Sequence, residues 1–216
     1  MNKKKKMMKI ETPRIPSELP VTMRQDIQSN DFLEMEMIQD CEIENSKANK
    51  VIFDKIIFRN VTFTETAFTS AELTDVIFEK CDLSNVDFSD AVIHRTEFKD
   101  CKMIGINLSG TTLRNILFDN CLADYAAFRF ANTKQVIIQD SFLSKADFSY
   151  CKLQKFEFSR CTIDQVQFSG TELNGIDLSD CSFNGLGVFV ENLKGCIISR
   201  EQAYIFANLF GLIINE

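Results

Sequence analysis

Two five-residue words, Val86-Asp87-Phe88-Ser89-Asp90 and Ala146-Asp147-Phe148-Ser149-Tyr150, decide the fold. Each sets a small or β-branched residue two places before a large apolar centre and fills the remaining places with polar residues. Working outward from Phe88 and Phe148 in steps of five, the centres run from Leu33 to Ile198 without a change of frame, and Thr133 is the one polar exception. Helices repeat apolar residues every 3.6 positions and half-buried strands every 2, so neither produces a strict period of five. An internal repeat of this kind makes a solenoid.

A second period lies on top of the first. Cys41, Cys81, Cys101, Cys121, Cys161 and Cys181 recur at multiples of twenty, and all eight cysteines, Cys151 and Cys196 included, stand two before a centre. Centres alternate in class as well. Phe58, Phe78, Phe98 and Phe118 form one Phe-rich series and Phe68, Phe88, Phe128 and Phe148 another, whereas Leu73, Ile93, Leu113 and Leu83, Met103, Leu143 are aliphatic. Stacked coils of twenty residues would align the cysteines in one inward column at the ~4.8 Å strand spacing. Thiols in such a column act as small hydrophobes. Parallel inward thiols do not suit disulfides. The absence of CxxC pairs and the single histidine exclude a zinc site, so no metal or cofactor is expected.

The pattern resembles the pentapeptide-repeat signature, A-(D/N)-(L/F)-x-x, over residues 31–198. The resemblance implies an all-β chain folded as a right-handed quadrilateral β-helix, four pentapeptides to each square coil. The segment Leu122–Ile137, with Ala123, Tyr125, Phe130 and Thr133, is the weakest match and the one place where a bulge is expected.

The two ends differ from the body. Residues 1–30 carry seven Lys or Arg against Glu11, Glu18 and Asp26, together with all three prolines, Pro13, Pro16 and Pro20. Closely spaced prolines favour extended chain. This basic extension reads as an N-terminal cap, with Ile10 to Val21 along the first coils. Its lysine run is either a solvated tail or a contact for an anionic partner. Residues 199–216 begin with Ser199-Arg200-Glu201-Gln202, a capping box opening a helix that Gly211 ends, followed by the strand-like Leu212-Ile213-Ile214. Ile205, Phe206, Leu209, Phe210, Leu212 and Ile213 exceed what one buried face needs, so a homodimer joined end to end is expected; the alternative is a monomer whose last strand covers the helix. The tail also resembles the dimerisation end of the quinolone-resistance pentapeptide-repeat proteins.

Composition narrows the function. The chain has 216 residues, 45% hydrophobic and 25% charged, with net charge −7. No apolar run reaches the roughly 18 residues of a membrane span, and no signal peptide follows the basic start, so a cytoplasmic protein without membrane contact is expected. Setting the +4 of residues 1–30 aside leaves −11 on the rest. An acidic rod on the order of 40 Å long, at one coil per ~4.8 Å, has the shape and sign of duplex DNA. Direct nucleic-acid binding is therefore not expected. Asp82, Asp87, Asp90, Glu97, Asp100, Asp119, Asp124 and Asp140 are the candidate partner-binding acids. The resemblance implies a partner, DNA gyrase or topoisomerase IV, protected from quinolones by the bound rod. A scaffold or immunity protein with another partner is the alternative. Catalysis is not expected, since His94 stands without a nucleophile to activate. Outward apolar residues Ile57, Ile77, Leu117 and Ile137 share one column, which would receive either the N-terminal segment or a partner.

Overall fold

The computed structural model describes residues 8–213. The described residues form twelve strands, all parallel: β1 (Val21–Thr22), β2 (Phe32–Glu34), β3 (Met37–Glu44), β4 (Lys47–Asn49), β5 (Ile52–Asp54), β6 (Ile57–Thr64), β7 (Ala67–Thr69), β8 (Glu72–Glu79), β9 (Val92–Lys99), β10 (Thr112–Asp119), β11 (Asn132–Gln139) and β12 (Lys152–Ser159). The main sheet runs β1-β3-β6-β8-β9-β10-β11-β12. Partners lie twenty residues apart, as in Val92↔Thr112↔Asn132. Single bridges carry the same offset through Asp82, Lys102, Leu122, Phe142 and Thr162, and through Asp87, Asn107, Ala127, Asp147 and Gln167. The result is a right-handed quadrilateral β-helix with one short C-terminal helix, α1 (Gln202–Leu209). Wall 1 is centred on Leu73, Ile93 and Leu113, wall 2 on Phe78, Phe98 and Phe118, wall 3 on Leu83, Met103 and Leu143, and wall 4 on Phe88, Phe128 and Phe148, all buried.

A square coil must turn four times, and the turn residue is the one two after each centre. From Asn30 to Gly175 every fifth residue has a positive φ, between 46° at Arg95 and 79° at Gly175. None of these residues is Val, Ile or Thr, whose branched Cβ fits this region worst, and half are Asn, Asp or Gly, which tolerate it best. After Gly175 the corners lose this regularity. A 3-10 turn over Val190–Leu193 takes the place of a wall, and Phe189 and Val190 are exposed.

The expected bulge does not form. Leu122 bridges both Lys102 and Phe142, and Thr133 pairs in register with Leu113 and Leu153. Tyr125 and Phe130 fall on corners, where their side chains point outward and leave the register of the coil unchanged. Thr133 is buried at its centre because its hydroxyl donates to the Lys152 carbonyl at 3.1 Å.

Inside, the repeat stacks like on like. Phe58, Phe78, Phe98 and Phe118 lie face to face at 4.9, 4.9 and 4.8 Å between ring centroids, which is the spacing of the coils themselves. All eight cysteines are free thiols. They do more than fill space: Cys81, Cys101 and Cys121 direct Sγ at the carbonyls of Phe58, Phe78 and Phe98, at 3.4, 3.5 and 3.4 Å. Thr171 does the same to the Phe148 carbonyl at 2.6 Å. Where a Cys, Ser or Thr fills this position, its hydrogen mostly goes to a backbone carbonyl, as Ser141 Oγ also donates to Gln139.

Each end of the prism is closed by a short segment. At the start, β1 pairs with β3, and Ile27 is buried with its N–H on Ser46 Oγ at 3.0 Å. At the finish the capping box is present: the Gln202 N–H donates to Ser199 Oγ at 3.2 Å, and the Ser199 N–H to Gln202 Oε1 at 2.9 Å. Gln202 also donates through Nε2 to the carbonyls of Leu178 and Cys181, both at 2.8 Å, so it stoppers the last coil. Gly211, at φ 73°, ends the helix, its N–H on the Asn208 carbonyl. Leu212 and Ile213 form no strand; Ile214 and the lysine run Lys3 to Lys6 lie outside the described residues.

The N-terminal segment runs farther than the first coils. It lies lengthwise on the edge between walls 1 and 2, where the N–H groups of Met8, Glu11 and Arg14 donate to Glu157 Oε2, Asn115 Oδ1 and Asp75 Oδ1 at 3.1, 3.1 and 2.9 Å. Three residues of extended chain cover roughly 9–10 Å, as do two coils, so every third N–H meets every second coil. Within the apolar column, Ile137 is buried where this strap crosses, and Ile57, Ile77 and Leu117 are half-buried. Burial alone would raise the pKa of Asp75, but hydrogen bonds from Arg95 and from the Arg14 N–H hold it below its ordinary value.

Two outcomes are expected. Burial pushes the Cys121 and Cys151 thiols up to about 12. A free thiol near 8.5 is roughly one quarter ionised at pH 8, against about one part in ten thousand at 12. Iodoacetamide at pH 8 should therefore label half-buried Cys41 first, reach Cys196, whose thiol burial raises to about 11, more slowly, and leave Cys121 and Cys151 unlabelled until the protein unfolds, as peptide mapping would show. The strap is the second. Losing a hydrogen bond to a charged acceptor costs about 1.5–3 kcal/mol, so Asp75→Asn should speed tryptic cleavage after Lys9 and Arg14 about tenfold or more. In the wild type the contact holds at neutral pH and is lost as pH falls through the lowered Asp75 value.

Candidate interaction surface

Because coil partners sit twenty residues apart, each outward position forms a column, and several charged columns are internally paired. Asp82 meets Lys102 at 2.9 Å, and Asp140 is clasped by Arg160, which holds its carboxyl below the ordinary range. Asn120 donates to Asp100 at 2.6 Å, Asn107 to Asp87 at 2.9 Å and Gln139 to Asp119 at 2.9 Å. Asp124 accepts the Ser144 N–H at 2.7 Å. Alternation of acid with amide or base down a column relieves the repulsion that like charges on adjacent strands would suffer.

The eight candidate acids do not share one face. Asp82 and Asp124 lie on wall 3, and Asp100, Asp119 and Asp140 lie along its border with wall 2, so five gather around wall 3. Asp87 belongs to wall 4 and Asp90 to the edge beyond it. Glu97, on wall 2, is withdrawn: it is buried and paired with Lys99 at 2.5 Å.

The rod also carries exposed aromatics, on two of its edges, that the charge pattern did not reveal. Phe130 and Tyr150 occupy the corner between walls 4 and 1 on successive coils, the edge that also holds Asp90, with rings stacked at 5.4 Å, and they are 59% and 53% exposed. Tyr150 lies over Gly170, where an added Cβ would come within 2.5 Å of the ring. Arg129 sits over the Phe130 ring and Lys145 over Tyr125. Leu122 and Phe142 are exposed on wall 3. The spacing of twenty between Phe130 and Tyr150, on corner positions, is the signal that would have found this ladder.

Of the six residues proposed at the C-terminal end, Phe206 is 7% exposed and meets Phe183 edge to face at 5.9 Å, so it belongs to the stopper. Ile205 packs against the core, while Leu209, Phe210, Leu212 and Ile213 are exposed. His94 is half-buried on wall 1 beside Arg95, 3.2 Å from its guanidinium; burial, then that positive charge, lowers its pKa. Among the described residues no group of three or more His, Cys, Asp or Glu is placed to hold a metal, and no helix is long and apolar enough to cross a membrane.

Comparison with known proteins agrees with this architecture. Residues 71–148 match the model for a pentapeptide repeat region, and residues 142–185 match the model for pentapeptide repeats in eight copies. The uncharacterized protein YisX of Bacillus subtilis (strain 168) is 41% identical over 206 residues, covering 95% of this chain and 97% of its own. Among solved structures, HetL of Nostoc sp. strain PCC 7120, a pentapeptide repeat protein involved in heterocyst differentiation regulation, is 16% identical, with 79% of this chain and 90% of HetL covered at a TM-score of 0.48. QnrB1, a plasmid-mediated fluoroquinolone resistance protein, is 18% identical, with 92% and 99% covered at a TM-score of 0.43. The five-residue repeat, the four-walled coil it builds and the two family-model matches place the chain in the pentapeptide-repeat family.

Proposed function

We propose that this protein is a non-catalytic, homodimeric interaction rod that binds a bacterial type II topoisomerase, DNA gyrase or topoisomerase IV, where duplex DNA would lie, and so protects it from quinolones. The observation that carries the reading is the charge of −11 on residues 31–216, spread along a narrow rod in axial columns. Basic DNA-binding surfaces attract such a rod, with a steering that salt weakens. The paired columns sharpen the picture. Acids clasped by Arg160 or Lys102 are partly neutralised, so wall 3 offers a dilute imitation of a phosphate backbone, and firm binding needs apolar anchors as well. Tyr125 and Phe142, exposed on wall 3 and its edge, supply anchors of the aromatic type enriched at protein interfaces. The same aromatics favour a second reading, a scaffold or immunity role on a protein partner that binds no DNA.

Gyrase supercoiling with a quinolone, at about 50 and 300 mM salt, tests the first reading. Rescue at low salt should fade at high salt, and Asp100→Lys with Asp140→Lys should weaken it several-fold. Tyr125→Ala with Phe142→Ala should do the same at both salts. Neither rescue nor inhibition at low salt discards the topoisomerase. Light scattering after size exclusion tests the dimer: Leu209→Asp with Phe210→Asp should halve the mass, and these exposed positions leave the Phe206 stopper in place. A dimer that survives both substitutions refutes this end as the interface.

A further inference from the structure

One outward column breaks the rule of alternating charge. On wall 1, His94, Arg114 and Lys134 are register partners on β9, β10 and β11, three basic side chains on successive coils. Several other columns set a base against an acid, as Arg59 faces Glu79 and Asp75 faces Arg95, whereas this one pairs Glu34 with Asp54 at its start and reaches the amide of Gln154 only beyond Lys134. Arg114 and Lys134 are exposed and have neither an ion pair nor a hydrogen bond within the described residues. Like charges directly across a parallel pair are unfavourable, so the column lacks a counter-charge that the fold itself does not supply.

The strap supplies it only in part, because its Glu11 carboxylate acts on His94 through space and makes no ion pair with Arg114 or Lys134. Its Glu11 N–H is tied to Asn115, but the Glu11 carboxylate turns to Arg14 at 2.8 Å. What remains between strap and column is an open cleft of about 520 Å³ lined by Glu11, Val92, His94, Arg114, Asn115 and Lys134. That volume lies within the ~300–1,000 Å³ of small-molecule sites. Arg114 and Lys134 belong to the acidic body, residues 31–216 at −11, and the basic strap runs beside them.

We propose that this cleft binds a small oxyanion ligand with two or more phosphoryl groups in series, laid along the rod so that Arg114 and Lys134 each take one group and His94 closes the row. The rungs are on the order of 4.8 Å apart. A linked chain of phosphoryl groups can follow that spacing, whereas a single phosphate meets one rung at a time. Arg forks match phosphoryl oxygens with two parallel hydrogen bonds, and Lys adds a point charge. The site is on the far side of the rod from wall 3, so it is independent of the topoisomerase reading.

His94 is the only histidine, so a single imidazole resonance reports on the cleft. The test follows that resonance in the full-length protein during titration with inorganic phosphate, pyrophosphate and tripolyphosphate at low salt. Nearby Arg95, Arg114, Glu11 and Asp75 set the resting His94 pKa, which is lowered; a bound polyanion should raise it. Expected are saturable shifts, affinity at least tenfold higher for tripolyphosphate than for phosphate, and at least tenfold loss in Arg114→Ala and Lys134→Ala. Both replace exposed side chains, and thermal melting verifies that they fold. Lys145→Ala, on the opposite edge, should bind as the wild type does. No saturable shift by about 10 mM tripolyphosphate, equal affinity for phosphate, or an equal loss in Lys145→Ala would overturn the proposal.

Discussion

The left-handed corner is the constraint from which the other features follow. An L-residue pays about 1–2 kcal/mol to hold a positive φ, and this chain does so at nearly every fifth position from Asn30 onward. The cost is met because each corner delivers the next strand in parallel register with the coil below, as in Leu113 over Ile93 and Phe118 over Phe98. Every centre then lands on a centre, and rings stack at the coil spacing. A β-branched residue at a corner would oppose this at each turn, and none occurs there up to Gly175.

Twenty-residue register also governs the outside. Any outward side chain has its neighbours twenty positions away, so the surface is organised in columns. Pairing down a column explains why Asp100, Asp140 and Asp82 are each held by a neighbour on the next coil. It also makes exceptions conspicuous: the exposed ring stack of Phe130 on Tyr150, and the basic row of wall 1. The strap obeys the same geometry from outside, since extended chain meets every second coil with every third N–H. A surface so regular turns small sequence differences into distinct faces, wall 3 acidic and aromatic, wall 1 basic beside the strap.

Much of the fold was legible because the core is one-dimensional. Phe58 to Phe118 and the cysteine column could be read from spacing alone, and Ser199 and Gln202 announced the helix start three residues apart. The surface was less legible. Glu97 reads as an exposed acid but is buried against Lys99, and Phe206 reads as surplus but stoppers the last coil against Phe183. Tyr125 and Phe130 read as faults in the repeat because their size was judged without the corner geometry that turns them outward.

By itself the sequence determined the four-walled coil, its twenty-residue register and the class of residue in each inward column, since all of these are periodic and local. Tertiary structure alone decided where the strap lies, which acids keep a free charge, and that Arg114 and Lys134 stand over an open cleft. Those outcomes join residues up to 149 positions apart, as Met8 meets Glu157. No period links such residues; only the packing of an extended segment along stacked coils brings them together.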